Sequence, residues 1–264
     1  MPLQVLSKLS LPRSRLGNSD CPFRAIVSEK ATWQAQVGQY LQRHLRLLPL
    51  QDPFLVRSSD EVVQLLEDGR WNGVHAFSLD VVDLYYSVPH DELFSALRDK
   101  IDDFGELKFN GKTGVSSDSF LELVHFYLQS TVVEFEDKFY VQRRGICIGS
   151  SLAPIFSDIY LSAFDKSVKT KLADAHHITV LRYVDDYLVV VNQVAGTSLN
   201  DVVIGVIETF VSSSKSLKFT WELPSNNCLR FLDLILTFQN THVCWQYKPR
   251  ANKQLIPFDS AHSK

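Results

Sequence analysis

Two adjacent carboxylates, Asp185 and Asp186, stand inside LRYVDDYLVVV, residues 181–191, a run that is otherwise largely apolar and β-branched. Such a run reads as two strands joined by a tight hairpin turn at the polar break. Asp-Asp is a poor turn pair: a two-residue loop favours Asn-Gly or Asp-Gly, and neighbouring carboxylates repel unless a cation lies between them. The pattern suggests chemistry in preference to turn propensity; the competing reading is an exposed hairpin tip where any polar residues would serve. A third carboxylate, Asp80, interrupts another strand pattern in FSLDVVDLYYSVP, with Asp83 three residues later. A buried carboxylate is costly unless it is paired or bound to a metal. If strand 77–82 lies beside the 181–191 hairpin in one sheet, Asp80, Asp185 and Asp186 converge at one end of it. Hard divalent ions such as Mg²⁺ take oxygen ligands, commonly one or two carboxylates plus substrate phosphates. Two such ions ~4 Å apart clamp the attacking and leaving oxygens of an in-line phosphoryl transfer.

A further segment, QRRGICIGSSLAP, sets Gly145 and Gly149 before a helix opened by Ser150 or Ser151. Glycine lets a backbone come close to a ligand, and a helix N-terminus favours a phosphate or a polar base edge. Alone this is a weak signal, since Gly-rich helix entries are common.

The elements that must carry these residues follow from periodicity. Residues 33–68 read as helices broken by LLPLQDP, the second opened by SSDE. Residues 74–82 read as a strand, PHDELFSALRDKI and 119–129 as helices, and GELKFNGKTGVSSDS as turns. TVVEFEDKFYVQ reads as a hairpin turning at Glu136 and Asp137. A long helix is expected from about Leu152 to Val168, then the Asp-Asp hairpin, a helix near 199–214, and two closing strands, RFLDLILTF and HVCWQYK. Strands and helices mixed without strict alternation point to an α+β fold with a central antiparallel sheet.

At 264 residues, 45% hydrophobic and 22% charged, the chain is globular and long enough for a large core. No run approaches the ~18 apolar residues of a membrane span, and the N-terminus lacks the apolar core of a signal peptide, so the expectation is a soluble, intracellular chain with no membrane partner. Cys21, Cys147, Cys228 and Cys244 are far apart with no C-x-x-C pair, which argues against a disulfide framework and a structural zinc site. The net charge of −3 hides a pattern: residues 1–50 carry seven bases against two acids, and 241–264 four bases against one acid. Basic ends around an acidic middle suit a chain that holds cations centrally and touches a polyanion at its ends, and solvated charged faces produce the same balance.

Taken in order, these segments resemble the reverse transcriptase domain, most closely that of Penelope-like retroelements, which are related to telomerase. SLDVVDLYYSVPH is similar to motif A, QRRGICIGSSLAPIFSDIYL to motif B, and LRYVDDYLVV to the YxDD box of motif C. SLKFTWE with RFLDLILTF resembles motifs D and E, WQYKPRANKQLIPFDSAH the segment after them, and CPFRAIVS a fingers strand. The resemblance implies a right-hand polymerase with an antiparallel palm sheet packed on helices: residues 1–76 fingers-like, 77–238 palm with a fingers-like insertion around 105–144, and 239–264 the end of the palm and the start of a truncated thumb. It implies Asp80 and Asp185 as ligands of two catalytic Mg²⁺ or Mn²⁺ ions, supported by Asp186. Tyr85 matches the bulky gate against a ribose 2′-hydroxyl, with a core aromatic as its alternative. Gln142, Gly145 and Gly149 match positions near the incoming nucleotide and template, Gln142 being otherwise a solvated hairpin residue. Arg24 matches a triphosphate-binding fingers residue or is an ordinary surface arginine. Lys218 is either the general acid of motif D or a solvated lysine.

The sequence departs from the family pattern in places. Arg24-Ala25 stands where Arg-Pro is usual, the upstream basic motif is not clean in LSKLSLPRSRLG, and no GIY-YIG endonuclease follows before Lys264. The expected function is RNA-directed DNA synthesis from dNTPs on an RNA template with a DNA primer. A catalytically silent nucleic-acid-binding remnant is the alternative, and a nucleotidyl cyclase a third possibility, disfavoured because a cyclase needs no template groove.

Overall fold

The computed structural model describes residues 5–9, 23–27, 29, 31–135, 138–193, 196 and 198–249. The expected Glu136-Asp137 turn, residues 10–17 of the upstream basic segment and the expected thumb residues beyond 249 lie outside them. The chain divides into two compact units, each assembled from three stretches.

One unit comprises residues 1–53, 81–171 and 209–218. Its described elements are β1 (Val5–Leu9) and β2 (Phe23–Val27), an antiparallel pair; α1 (Trp33–Leu45); α3 (Leu84–Ser87); α4 (His90–Phe104); α5 (Glu106–Thr113); α6 (Ser117–Gln129); the ribbon β4 (Val132–Phe135) and β5 (Lys138–Val141); and α7 (Ala153–Lys171). Helix α4 buries Leu93, Ala96, Leu97 and Ile101 on one stripe, the i, i+3, i+4 spacing read from the sequence. The 105–115 segment, expected as turns, forms α5. Its Phe109 is fully buried, with ring centroids 6.4 Å from Phe104 and 4.9 Å from Phe120, so aromatic packing overrides the glycines and polar residues around it.

The other unit comprises residues 54–80, 172–208 and 219–264 and is built on β-structure. A four-stranded sheet runs in the order β6 (Ile178–Tyr183), β7 (Asp186–Val191), β3 (His75–Val81), β8 (Phe219–Glu222). A three-stranded antiparallel sheet runs β11 (His242–Tyr247), β10 (Leu234–Gln239), β9 (Cys228–Phe231). Helix α2 (Ser59–Asp68) also belongs to it, and α8 (Leu199–Ser213) contributes residues up to Glu208. Ser58 caps α2, its Oγ accepting from the Glu61 amide at 3.2 Å. Tyr187, Leu188, Val189, Val190 and Val191 are all buried, so β7 is covered on both faces, as its unbroken apolar run requires. Leu188 and Val190 share one core with Leu181, Ala76, Leu66, Leu234 and Leu236.

Two tight hairpins shape this unit, and both differ from the sequence reading. RFLDLILTF is two strands, with Phe231 opposite Leu234 and a two-residue loop, Leu232-Asp233, between them. Tyr183 lies opposite Asp186, so the loop of the other hairpin is Val184-Asp185 and Asp186 already belongs to β7. In each, the apolar first loop residue is left-handed, at φ +53 for Leu232 and +56 for Val184.

Candidate active site

Strand register brings the carboxylates together. Strands β3 and β7 are antiparallel with Asp80 opposite Asp186, and Asp185 is the adjoining loop residue. Asp80 is exposed and Asp185 and Asp186 are half-buried, so the premise of a deeply buried Asp80 does not hold: water screens the three charges. The end of the sheet is open to a solvent-borne ligand, as phosphate chemistry needs. All three side chains offer oxygen, the donor that hard divalent ions take. Among the described residues, no group of three His, Cys, Asp or Glu is gathered as a ready-made metal cage. Carboxylate oxygens are the donor type that Mg²⁺ and Mn²⁺ take where one or two carboxylates are completed by substrate phosphates.

In the other unit, close backbone approach brings together Tyr85 and the glycine segment. Tyr85, half-buried on α3, accepts at its carbonyl from the Ile146 amide at 2.5 Å. Gly145, at φ +70, leaves no room for a Cβ, which would fall 2.4 Å from the Tyr85 carbonyl oxygen and 2.6 Å from the Tyr86 Cα. His90 Nε2 hydrogen-bonds the Gly145 carbonyl at 2.8 Å. Gly149, at φ +102, meets the carbonyl of Val27 in the same way at 2.4 Å, and the Val27 amide donates to Ile148 at 2.8 Å. Both glycines are thus required by contact as well as by conformation.

A polar network holds the same loop from behind. The Tyr127 hydroxyl donates to Glu29 Oε1 and lies 2.6 Å from Ser150 Oγ, which accepts from the Leu152 amide at 3.1 Å at the entry to α7. Burial raises the Glu29 carboxyl above its ordinary range, against the lowering effect of the Tyr127 hydrogen bond. Burial also pushes the Cys147 thiol up to about 11. The sequence reading missed Glu29, Tyr127 and His90, because nothing in a lone Glu, Tyr or His marks a partner 98 residues away, as for Glu29 and Tyr127, or 55, as for His90 and Gly145. Of the remaining candidates, Arg24 lies on β2 opposite Lys8. Gln142 folds back, its Nε2 donating to the Arg144 carbonyl at 2.9 Å. Lys218 has an exposed side chain, and its carbonyl accepts from the Val82 amide at 2.8 Å, two residues beyond Asp80.

The profile of the reverse transcriptase (RNA-dependent DNA polymerase) family matches residues 39–222, more than half of the chain and all three carboxylates. The chain belongs to the reverse transcriptase family. A sequence search of curated proteins gives no match. Among solved structures, apo telomerase from Candida tropicalis, truncated from its C-terminal domain, is similar at TM-score 0.60 and 16% identity over 93% of this chain and 54% of that one. Telomerase from Candida albicans, in complex with a fragment of telomeric RNA, is similar at 0.61 and 16% over 84% and 43%. The BmCPV RNA-dependent RNA polymerase at elongation state is similar at 0.57 and 14% over 96% and 23%. This reverse transcriptase chain therefore has the mixed α+β fingers-and-palm polymerase fold, and it spans about half the length of the telomerases it resembles.

Gly145→Ala is expected to cost about 2–4 kcal/mol, the sum of a left-handed alanine and a forced backbone shift. Gly114→Ala is the control: Gly114 is left-handed too, at φ +76, but a Cβ there meets nothing within 4 Å. Its cost in urea unfolding should be limited to about 1–2 kcal/mol. Equal losses at the two positions would remove the close-approach argument.

Glu29→Gln keeps an acceptor for Tyr127 while removing the charge. The folded-state pKa of Glu29 is raised, so its protonated form is the one folding favours: that stability is full below about pH 4.5 and is lost as pH rises through the folded value. The variant should therefore melt higher than the parent at pH 7–8, with the gap closing toward pH 4. A gap that does not change with pH would show that Glu29 is not ionising in this network.

Proposed function

We propose that the chain is the fingers-and-palm part of an RNA-directed DNA polymerase, which joins dNTPs to the 3′-hydroxyl of a DNA primer on an RNA template. The observation that carries this reading is the β3–β7 register, which sets Asp80 opposite Asp186 at an open sheet end with Asp185 in the adjoining loop. On this reading residues 1–76 are fingers-like, 77–238 palm with an insertion around 105–144, and 239–264 the end of the palm and the start of the thumb. The segment WQYKPRANKQLIPFDSAH supports a retroelement of the Penelope-like kind as the source.

Asp80 and Asp185 would hold two Mg²⁺ or Mn²⁺ ions, with Asp186 steadying the pair. Bound there, the ions would make the primer hydroxyl a better nucleophile and neutralise charge on the leaving pyrophosphate. Tyr85 offers a ring that excludes a 2′-hydroxyl by bulk, so deoxynucleotides are preferred. Gly145 and Gly149 let main chain come close to the nucleotide and template, and Gln142 adds an amide there once it leaves the Arg144 carbonyl. Arg24 supplies a planar bidentate donor suited to a triphosphate. Lys218, exposed beside the end of β3, is the available proton donor for pyrophosphate.

Metal binding is the first test. Millimolar Mg²⁺ or Mn²⁺ should raise the melting temperature of the parent, by about 1.4 kcal/mol of stabilisation when the metal is tenfold above its Kd. Asp185→Asn should abolish that shift, and a parent unaffected by both ions would count against the site. Primer extension on an RNA template then tests the reaction. A parent that binds template-primer yet extends nothing with either metal would replace the enzyme by the silent-remnant reading. Where extension occurs, Tyr85→Ala should lower the dNTP-over-rNTP ratio of kcat/KM roughly tenfold or more. An unchanged ratio would make Tyr85 a packing residue.

A further inference from the structure

Arg182 is the largest of the fully buried side chains among the described residues, 0% exposed in a strand otherwise read as apolar. A fully buried arginine is rare and has partners that hold it. Its main chain is engaged on the outer edge of β6: the amide donates to the Phe54 carbonyl at 2.6 Å and the carbonyl accepts from Val56 at 2.8 Å, around a parallel bridge to Leu55. Its guanidinium turns toward the hairpin loop, where Nη1 donates to the Val184 carbonyl at 2.9 Å.

That carbonyl belongs to the peptide unit that leads into Asp185. Fixing its oxygen fixes the plane of the peptide, and with it the direction in which the chain delivers Asp185 and then Asp186. The loop needs such a hold. Val184 is left-handed at φ +56, a conformation that disfavours a β-branched residue, and the residue is 37% exposed, so little burial offsets the strain. A charged donor makes a stronger hydrogen bond than a neutral one, and the planar guanidinium is stiffer than an ammonium on a flexible stem.

We propose that Arg182 is the positioning residue of the carboxylate hairpin: through its hydrogen bond to the Val184 carbonyl it keeps the Val184-Asp185 loop in the strained form that presents Asp185 and Asp186 beside Asp80. Fully buried, it acts through the loop and not on a ligand. Its consequence for catalysis rests on the polymerase reading above; its hold on the loop does not.

The test pairs Arg182→Lys with Val184→Gly in the full chain, because glycine adopts the left-handed conformation without strain. Amide hydrogen exchange at residues 184–186 is the readout, with helix α6 in the other unit as reference. Arg182→Lys should speed exchange in the loop roughly tenfold while α6 is unchanged, and adding Val184→Gly should return it to near the parent rate. Unchanged loop exchange in Arg182→Lys, or a double variant as fast as the single, overturns the proposal. If Arg182→Lys fails to fold, or exchanges faster throughout, the double variant decides: recovery of a parent-like fold supports the loop role, and no recovery assigns Arg182 to the core instead. In primer extension, kcat should fall in Arg182→Lys with KM for dNTP within about twofold of the parent, and rise again in the double variant. A parent that extends no primer defeats the polymerase reading, while the exchange comparison still decides the role of Arg182.

Discussion

The antiparallel register of β3 against β7 is the constraint on which the carboxylate end of the sheet depends. It sets Asp80 opposite Asp186, and a slip of one residue would turn every side chain of β3 to the opposite face. Like charges placed directly across a ladder disfavour that register by up to about 1 kcal/mol. Against this stand Phe77 and Leu79 on β3 and Tyr187, Leu188 and Val189 on β7, all essentially inaccessible to water. Each fully buried apolar side chain of this size contributes about 1.5–3 kcal/mol. Burial therefore decides the register by a wide margin, and the strands can carry two facing carboxylates at their ends without losing their pairing.

A second constraint of the same kind governs the glycine segment in the other unit. There the limiting quantity is distance: main chain at Gly145 lies against main chain at Tyr85 and Tyr86, and Gly149 against Val27. A loop clamped this closely on both sides cannot vary its path much. The Glu29–Tyr127–Ser150 network adds directional bonds where the apolar core gives none. The raised Glu29 pKa is the cost of placing a carboxyl in that wall, and the Tyr127 hydroxyl offsets part of it.

Much of this was legible in the sequence, because apolar periodicity reports burial directly. The unbroken run after Asp186 became a strand covered on both faces, and the stripe in α4 faced its core as its spacing required. What failed was local chemistry judged without its surroundings. GELKFNGKTG carries three glycines in ten residues, yet packing of Phe109 between Phe104 and Phe120 makes it helical. The break in RFLDLILTF escaped notice because leucine is not a turn residue, and strand β1 was not read at all. At the site, residue types singled out Asp80, Asp185 and Asp186 as candidates, but the turn was assigned to the two aspartates when the chain turns at Val184-Asp185. Arg182 gave no signal beyond a lone charge in an apolar run.

The two hairpins of the β-rich unit show why that lone charge matters. Both loops place an apolar residue in the left-handed region and an aspartate after it, a combination that turn propensity would reject. Leu232 packs against the apolar core, so burial of its side chain offsets the backbone cost. Val184 lies on the exposed side of its loop and has less burial to offset the same cost. Strain of about 1–3 kcal/mol persists only where the surroundings over-determine it. At Leu232 the core meets that requirement; at Val184 the hydrogen bond from a buried guanidinium to the loop carbonyl does. Two similar backbone shapes are thus held by different means, and the one held by a directional polar contact carries the carboxylates.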